Sequence, residues 1–173
     1  VMRHCKSSWS DDALPDIDFV MSMFLPSDLN PLTSDRYQME VMLNRTTKPI
    51  VFVTYDMAGC LDAVEMAEAV AGGADALRRN PLIACYINVT TGLRHNQEAL
   101  QKLLFMAELG LPCMYVPVVI SGISGPVTNA GSIALINAGT LVGVVRSQLK
   151  REGAPIIMGG WGSEGLDMKT MVN

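Results

Sequence analysis

The sequence predicts an α/β fold of parallel βα repeats, about five units belonging to a (β/α)8 TIM-type barrel. Three observations carry that prediction. Five short runs rich in Val, Ile, Met and aromatic residues recur along the chain, they are continuously apolar rather than alternating, and helical patterns separate them. The runs are 18–24, 49–55, 82–89, 113–120 and 155–159, so their starts lie 31, 33, 31 and 42 residues apart. Each interval is the length of one strand, loop, helix and loop. Continuous apolar runs suit strands covered on both faces, which is the condition of a parallel sheet.

The intervening helices follow in order. Residues 34–43 carry Tyr37, Val41 and Met42, and residues 61–71 carry Leu61, Val64, Met66, Ala67 and Val70 before Gly72-Gly73 ends the helix. Residues 97–109 place Leu100, Leu103, Leu104 and Ala107 at i, i+3, i+4 and i+7, with Gly110 closing the segment. That stripe is amphipathic and faces a sheet. The fourth helix is expected to start near Pro126, a residue suited to the first helical position, and to run to about Lys150. Ala130, Gly131, Ser132, Ala134, Ala138, Gly139 and Gly143 make it a small-residue helix, apolar nearly all round until Arg146. Such a helix is expected to be covered on several sides.

Repeated βα units permit an open doubly wound sheet or a barrel. An open nucleotide-binding sheet needs a glycine fingerprint after its first strand, and Phe24-Leu25-Pro26-Ser27-Asp28 has none. Regular spacing favours the barrel, yet five units are fewer than eight and such barrels take about 250 residues. The 173 residues are therefore expected to form a single domain, 1–173, that is a piece of a larger barrel.

Composition narrows the partners. With 13 Lys+Arg against 17 Asp+Glu, a net charge of −4 and 49% apolar residues, disorder is excluded. No run of Lys or Arg provides the footprint that nucleic acid or an anionic membrane surface demands. Residues 109–145 are 37 consecutive positions without Asp, Glu, Lys, Arg or His, longer than a bilayer span. Pro112, Pro117, Pro126, Gly122 and Gly125 break that stretch into a strand, a loop and a helix, so a buried core is expected and no membrane. Cys5, Cys60, Cys85 and Cys113 form no C-x-x-C pair, and His4 and His95 are the only histidines, so neither a disulfide framework nor a metal site is expected. No leader pattern stands at the N-terminus, and a cytoplasmic setting is expected.

In βα folds the loops at the carboxyl ends of the strands form the site. Those loops are 22–28, 55–60, 88–96, 121–128 and 159–167. His95, the only histidine on one of them, is either a general base near neutral pH or a flank of the helix beginning at Gln97. Asp28, Asp56, Glu164 and Asp167 are either ligands for a cation or solvated cap and loop carboxylates. Ser121-Gly122-Ile123-Ser124-Gly125-Pro126-Val127-Thr128 lies between a strand and a helix start, where backbone N–H groups can face an anion. No Lys follows Gly125, so nucleotide hydrolysis is not supported, and the glycines equally suit a plain turn. Trp161, after Gly159-Gly160, joins Tyr55, Tyr86 and Tyr115 on or at the ends of strands; its indole either holds a cation by its π face or plugs the barrel. The twelve methionines are expected in the core.

At Gly110-Leu111-Pro112, Ser121-Gly122-x-Ser124-Gly125-Pro126-Val127-Thr128-x-Ala130-Gly131, Asn137-Ala138, Gln148-Leu149 and Gly153-Ala154-Pro155, the chain resembles the trimethylamine methyltransferase family. Lys48-Pro49-Ile50, Asn80-Pro81 and Asp167-Met168-Lys169-Thr170 fit the same ordered pattern, so the resemblance spans nearly the whole chain. It implies the middle portion of a longer (β/α)8 enzyme that moves a methyl group from a methylated amine, such as trimethylamine or glycine betaine, to the cobalt of a corrinoid. The corrinoid is implied to arrive on a separate small protein or as free cofactor, with no tightly held cofactor. One branch of the family uses pyrrolysine, at a position that would lie beyond Asn173. Two departures stand out: Asn137-Ala138-Gly139 where the family often has Asn-Ala-Glu, and Thr90-Thr91-Gly92-Leu93 where Thr-Ser-Pro-Leu is frequent.

The resemblance implies roles for the candidates above. Trp161 and Tyr55 would hold the ammonium, Asp56 or Asp167 would add charge complementarity, and His95 would border the substrate. N–H groups around Ser124 and Gly125, in the loop shared with Ser121, Gly122 and Thr128, would receive a betaine carboxylate or a corrinoid side chain. A homo-oligomer is expected, because an open partial barrel leaves strand edges unpaired. Two other readings stay open: a lyase or isomerase using His95 as base, and a non-catalytic partial barrel that associates through its apolar helix at 131–145.

Overall fold

Parallel pairing is what the spacing demands, because two parallel neighbours need a crossover between them. In a computed structural model, residues 13–21, 29–30, 33–91 and 93–163 are described. The elements are β1 (Val20–Met21), α1 (Ser34–Arg45), β2 (Ile50–Phe52), α2 (Met57–Ala71), α3 (Ala74–Arg79), β3 (Ile83–Val89), α4 (Gln97–Leu109), β4 (Cys113–Ile120), α5 (Asn129–Lys150), β5 (Ile156–Met158) and β6 (Trp161–Ser163). The five anticipated strands are present, alternating with helices as an α/β array of parallel βα units, and no ring is closed among the described strands. The chain divides into two compact units, 1–85 and 86–173, and β3 passes from one into the other.

In the first unit β1, β2 and the start of β3 pair in parallel, with Val20 opposite Ile50 and Ile50 opposite Ile83. All three residues of β2 are buried, and Met39, Met42, Ala63, Val64, Ala67 and Leu77 join them in the core. Helix α2 starts at Met57, four residues before the apolar stripe suggests. The reason is its cap: the Asp56 carboxylate accepts a hydrogen bond from the Gly59 N–H at 2.7 Å. It ends on Gly72, whose φ of 84° is the left-handed conformation glycine adopts without strain. The short α3, unforeseen from the sequence, carries Asp75 in its first turn and Arg78 and Arg79 in its last, the arrangement that complements a helix dipole.

In the second unit β4 pairs in parallel with β5 through its first half and with β6 through its second, Cys113 opposite Ile156 and Val118 opposite Trp161. The sequence pattern ends the fifth strand at Gly159; the chain instead resumes pairing after Gly160, where any Cβ would collide with Ile136 of α5. Helix α4 buries Ala99, Lys102, Leu103, Met106 and Ala107, leaving Leu100 and Leu104 half-buried, so its inner stripe is rotated by about one residue from the leucine pattern. Strand β3 alternates: Ile87 and Val89 are buried, Tyr86 is half-buried and Asn88 exposed. The expected cover on both faces is thus present along β2, at the start of β3 (Ile83, Ala84, Cys85) and in the middle of β4 (Tyr115, Val116, Pro117), and is lost on one face in the second half of β3.

Helix α5 reverses the usual pattern. Ser132, Gly139, Thr140, Gly143 and Ser147 are its buried residues, while Ile133, Leu141, Val145 and Leu149 are 65%, 47%, 56% and 81% exposed. Small residues let it lie close on β4: a Cβ at Gly143 would come 2.8 Å from both Cγ and Cε1 of the Tyr115 ring. Thr140 Oγ1 is within hydrogen-bonding distance of the Ile136 carbonyl (3.0 Å) and of the Gly159 carbonyl (3.1 Å), tying the end of β5 to the helix. The helix is therefore covered by β4 and α4 on one side rather than on several. By length and composition it is the one described helix that could cross a bilayer. Its place is nonetheless that of a crossover helix packed on its strand.

Candidate functional site

The β2–α2 loop and the start of α1 build one corner, in the first unit. Tyr55 is 48% exposed, and Asp56 next to it is the cap of α2. The sequence reading missed what holds this loop. Asp35, whose side chain is 2% exposed, accepts through Oδ1 from the Arg36 N–H at 2.9 Å and the Arg36 guanidinium at 3.2 Å. Its Oδ2 accepts from the Tyr55 N–H at 3.3 Å. Arg36 also bonds Asp62 through Nε and stands 4.0 Å from Asp56 through Nη2. The hydrogen bond to Asp62 is the main cause that raises the Arg36 pKa, so the guanidinium stays charged. Among the described residues three carboxylates, Asp35, Asp56 and Asp62, thus meet one guanidinium at this corner, and Tyr55 is exposed on the loop they hold. The only trace of this in the sequence is Asp35 in the first turn of a helix, which alone signals nothing beyond a favourable dipole.

In the second unit His95 turns toward the helix layer. Its Nδ1 lies 2.7 Å from the Tyr115 hydroxyl, and the two rings are nearly parallel with centroids 5.8 Å apart. Tyr115 is fully buried against Gly143 of α5. Burial lowers the His95 pKa, and the charge of Arg146 lowers it further, so the imidazole is neutral at pH 7. Burial pushes the Tyr115 phenol up to about 12. One nitrogen of His95 is thus committed to a packing contact, which weakens the case for it as a general base.

The loop at 121–128 is spent mostly on itself. The N–H groups of Gly122, Ile123 and Ser124 donate to the carbonyls of Gly125, Ile120 and Ile120 at 3.1, 3.1 and 3.0 Å, and the Ser124 hydroxyl accepts from the Ile120 N–H at 2.8 Å. Gly122 has φ of 80°, as the turn requires. At Gly125 a Cβ would meet Val119 and Leu135. Ser121 and Ser132 hydroxyls lie 3.0 Å apart, and the Ser132 hydroxyl donates to the Pro126 carbonyl at 2.9 Å. Since a hydroxyl has one proton, Ser121 must be the donor to Ser132. Thr128, not Pro126, begins the helix: its side chain accepts from the Gly131 N–H at 3.3 Å. Of the amides expected to face an anion, that of Ser124 is therefore turned into the loop.

Trp161 stands in register with Val118, and its side chain lies outside the described atoms. Asp28, Glu164 and Asp167 lie outside the described residues. Tyr55 and Asp56 share one corner, and His95 meets Tyr115 in the other unit, as do Ser121, Gly122, Ser124, Gly125 and Thr128 within their loop.

Parallel βα units whose strand-to-helix loops carry aromatic, carboxylate and small residues define the class: an α/β protein built of parallel βα repeats. The comparisons narrow this. Residues 17–171 match the family described as trimethylamine methyltransferase (MTTB). The chain belongs to the trimethylamine methyltransferase family. It is 32% identical over 160 residues to trimethylamine methyltransferase MttB of Desulfitobacterium hafniense (strain DSM 10664 / DCB-2), covering 92% of this chain and 32% of that protein. Against the glycine betaine methyltransferase of D. hafniense (strain Y51) it is 34% identical over 98 residues, 57% of this chain and 20% of the relative. Against trimethylamine methyltransferase MttB of Methanosarcina thermophila it is 31% identical over 88 residues, 51% and 18% respectively. The chain thus spans from under a fifth to about a third of the length of these relatives.

Proposed function

We propose that this chain is part of a methyltransferase that takes a methyl group from a tertiary or quaternary methylamine, trimethylamine or glycine betaine or a close analogue, and passes it to a corrinoid carried by a partner protein or supplied free. The observation that carries the reading is the family match across residues 17–171. The geometry adds support. In the transfer the carbon–nitrogen bond breaks with its electron pair staying on the amine, and the corrinoid supplies the pair that forms the new bond to the methyl carbon. The protein then has to orient a methylated cation and keep water away, tasks that need no general base. Tyr55, exposed on the loop that Asp35 holds through its N–H, offers a ring face to a cation without N–H donors.

The experiment is to add Co(I) cobalamin and a panel of methylated amines to this chain and, separately, to a longer protein that contains it, and to follow methylcobalamin by absorbance. Methylcobalamin from one of those amines with the longer protein is the expected result. None from any amine with either protein overturns the reading. A second reading, association without turnover, has one observation in its favour: the exposed Ile133, Leu141, Val145 and Leu149 on α5. It predicts a homo-oligomer by sedimentation that Leu141→Lys reduces to a monomer; a wild-type monomer sinks it.

A further inference from the structure

We propose that Asp35 is a positioning residue that holds Tyr55 in place for contact with the methylated cation; the inference rests on the reading of Tyr55 given under the proposed function. Burying a carboxylate is costly unless its lone pairs are filled, so a protein retains one where it fixes something that an apolar residue would not. Asp35 is nearly inaccessible, and both of its oxygens are used. Oδ1 stays local, on the N–H and guanidinium of Arg36. Oδ2 reaches 20 residues along the chain to the Tyr55 N–H. That amide belongs to the loop after β2, at the carboxyl end of a strand, where a βα fold builds its site.

Three further features of the corner act in the same direction. Arg36, the next residue, grips Asp62 and approaches Asp56, so two consecutive residues of α1 hold both ends of the segment that carries Tyr55. Gly59 keeps the space open: a Cβ there would overlap Asp35 Oδ2 and come 3.3 Å from Asp56 Oδ1. Glycine is also a poor residue for a helix interior, so its presence in α2 is accounted for by this close approach. Finally, among the described residues this corner gathers Asp35, Asp56 and Asp62 against Arg36, a set that favours a cation over an anion. Asp35 itself touches no ligand; it acts through the Tyr55 backbone.

Asp35→Asn is the direct test, since an amide keeps one acceptor where the carboxylate supplies two. Gly59→Ala is the second variant: it leaves every charge in place and displaces the Asp35 oxygen that bonds Tyr55. Two quantities are read on the 173-residue chain: exchange of the Tyr55 amide by NMR, and affinity for tetramethylammonium chloride, with Tyr55→Ala as reference. Loss of a hydrogen bond to a charged acceptor is expected to speed Tyr55 exchange about tenfold in both variants and to weaken tetramethylammonium by about two- to fivefold, as Tyr55→Ala does. A purely structural role would lower the melting temperature and leave affinity at the temperature of the folded protein unchanged. If Tyr55→Ala weakens binding while Asp35→Asn and Gly59→Ala do not, the positioning role is overturned and the Tyr55 reading survives. If the wild-type chain does not bind tetramethylammonium, or Tyr55→Ala binds it as well as wild type, the Tyr55 reading fails and the positioning role falls with it.

Discussion

Replacing Gly143 by Ala tests whether α5 is held against β4 by the closeness of its approach. In an exposed helix the change would stabilise by about 0.5–1 kcal/mol, because alanine loses less entropy on folding. Here the new methyl carbon would lie 2.8 Å from Cγ and Cε1 of the Tyr115 ring and closer still to Cδ1, against about 3.7 Å for ordinary contact, so helix or ring must yield by more than about 1 Å. The ring has little room to do so. Tyr115 is fully buried, and its hydroxyl is tied to His95 at 2.7 Å. Overpacking of this kind costs about 1–3 kcal/mol. Set against the propensity gain, the net loss is about 1–2 kcal/mol, or roughly 5–10 °C in Tm for a unit of this size. Thermal unfolding followed by circular dichroism measures it, and trimming the ring with Tyr115→Leu in the Gly143→Ala background should make the two effects markedly non-additive. An unchanged or higher Tm for Gly143→Ala would mean that the ring does not lie under Gly143 and would refute the packing argument.

Three other outcomes follow from the same contacts. Burial and Arg146 lower the His95 pKa below its unfolded value, so the unfolded chain takes up the proton first and stability falls as pH drops from about 6.5 toward the folded pKa. Urea midpoints between pH 7.5 and 5.5 should fall less steeply for His95→Gln than for wild type; equal slopes would dismiss the effect. The Tyr115 phenol, pushed up to about 12, has the opposite sign: unfolded tyrosine releases its proton near pH 10, so stability is lost as pH rises from there toward 12, and Tyr115→Phe should flatten that part of the profile. Ser132→Ala would remove the link between Ser121 and the Pro126 carbonyl and leave a buried hydroxyl unpaired, at a cost of about 1–3 kcal/mol in denaturant unfolding, whereas a loss below about 0.5 kcal/mol would show that the link is not holding the loop.

The strands were legible because their signal is local: an apolar run such as 113–120 and its spacing from the next. Helix ends that depend on a glycine, Gly72 and Gly110, were legible for the same reason. What escaped was one local cap and several contacts between residues distant in sequence. The start of α2 at Met57 depends on the Asp56 cap, and the capping oxygen cannot be told from an ordinary loop carboxylate in the sequence. Asp35 and Arg36 gained their role only when the fold brought them to Tyr55, Asp56 and Asp62, 20 to 26 residues away. The inner stripe of α5 was missed because periodicity assigns large apolar residues to the inside, while the geometry there selects for small ones.

The caps and turns also constrain which chemistry suits the loops. Asp56 is occupied by the start of α2, Thr128 by the start of α5, the Ser124 amide by the Ile120 carbonyl, and one nitrogen of His95 by Tyr115. A ligand that depended on strong hydrogen bonds to those groups would have to displace contacts that already hold the fold. A methylated ammonium makes no such demand, since a quaternary nitrogen has no N–H and is attracted by a ring face and by charge at a distance, at about 0.5–1 kcal/mol for an exposed ring and more where water is excluded. Under the proposed function Tyr55, exposed on a loop whose N–H is held by Asp35, would offer a ring face without breaking a cap. The magnitude also indicates what the corner lacks by itself: one exposed ring falls well short of the roughly 4 kcal/mol that millimolar binding needs, so tight and oriented binding requires further walls around the cation, and an affinity for tetramethylammonium weaker than millimolar is the expected strength of this corner alone.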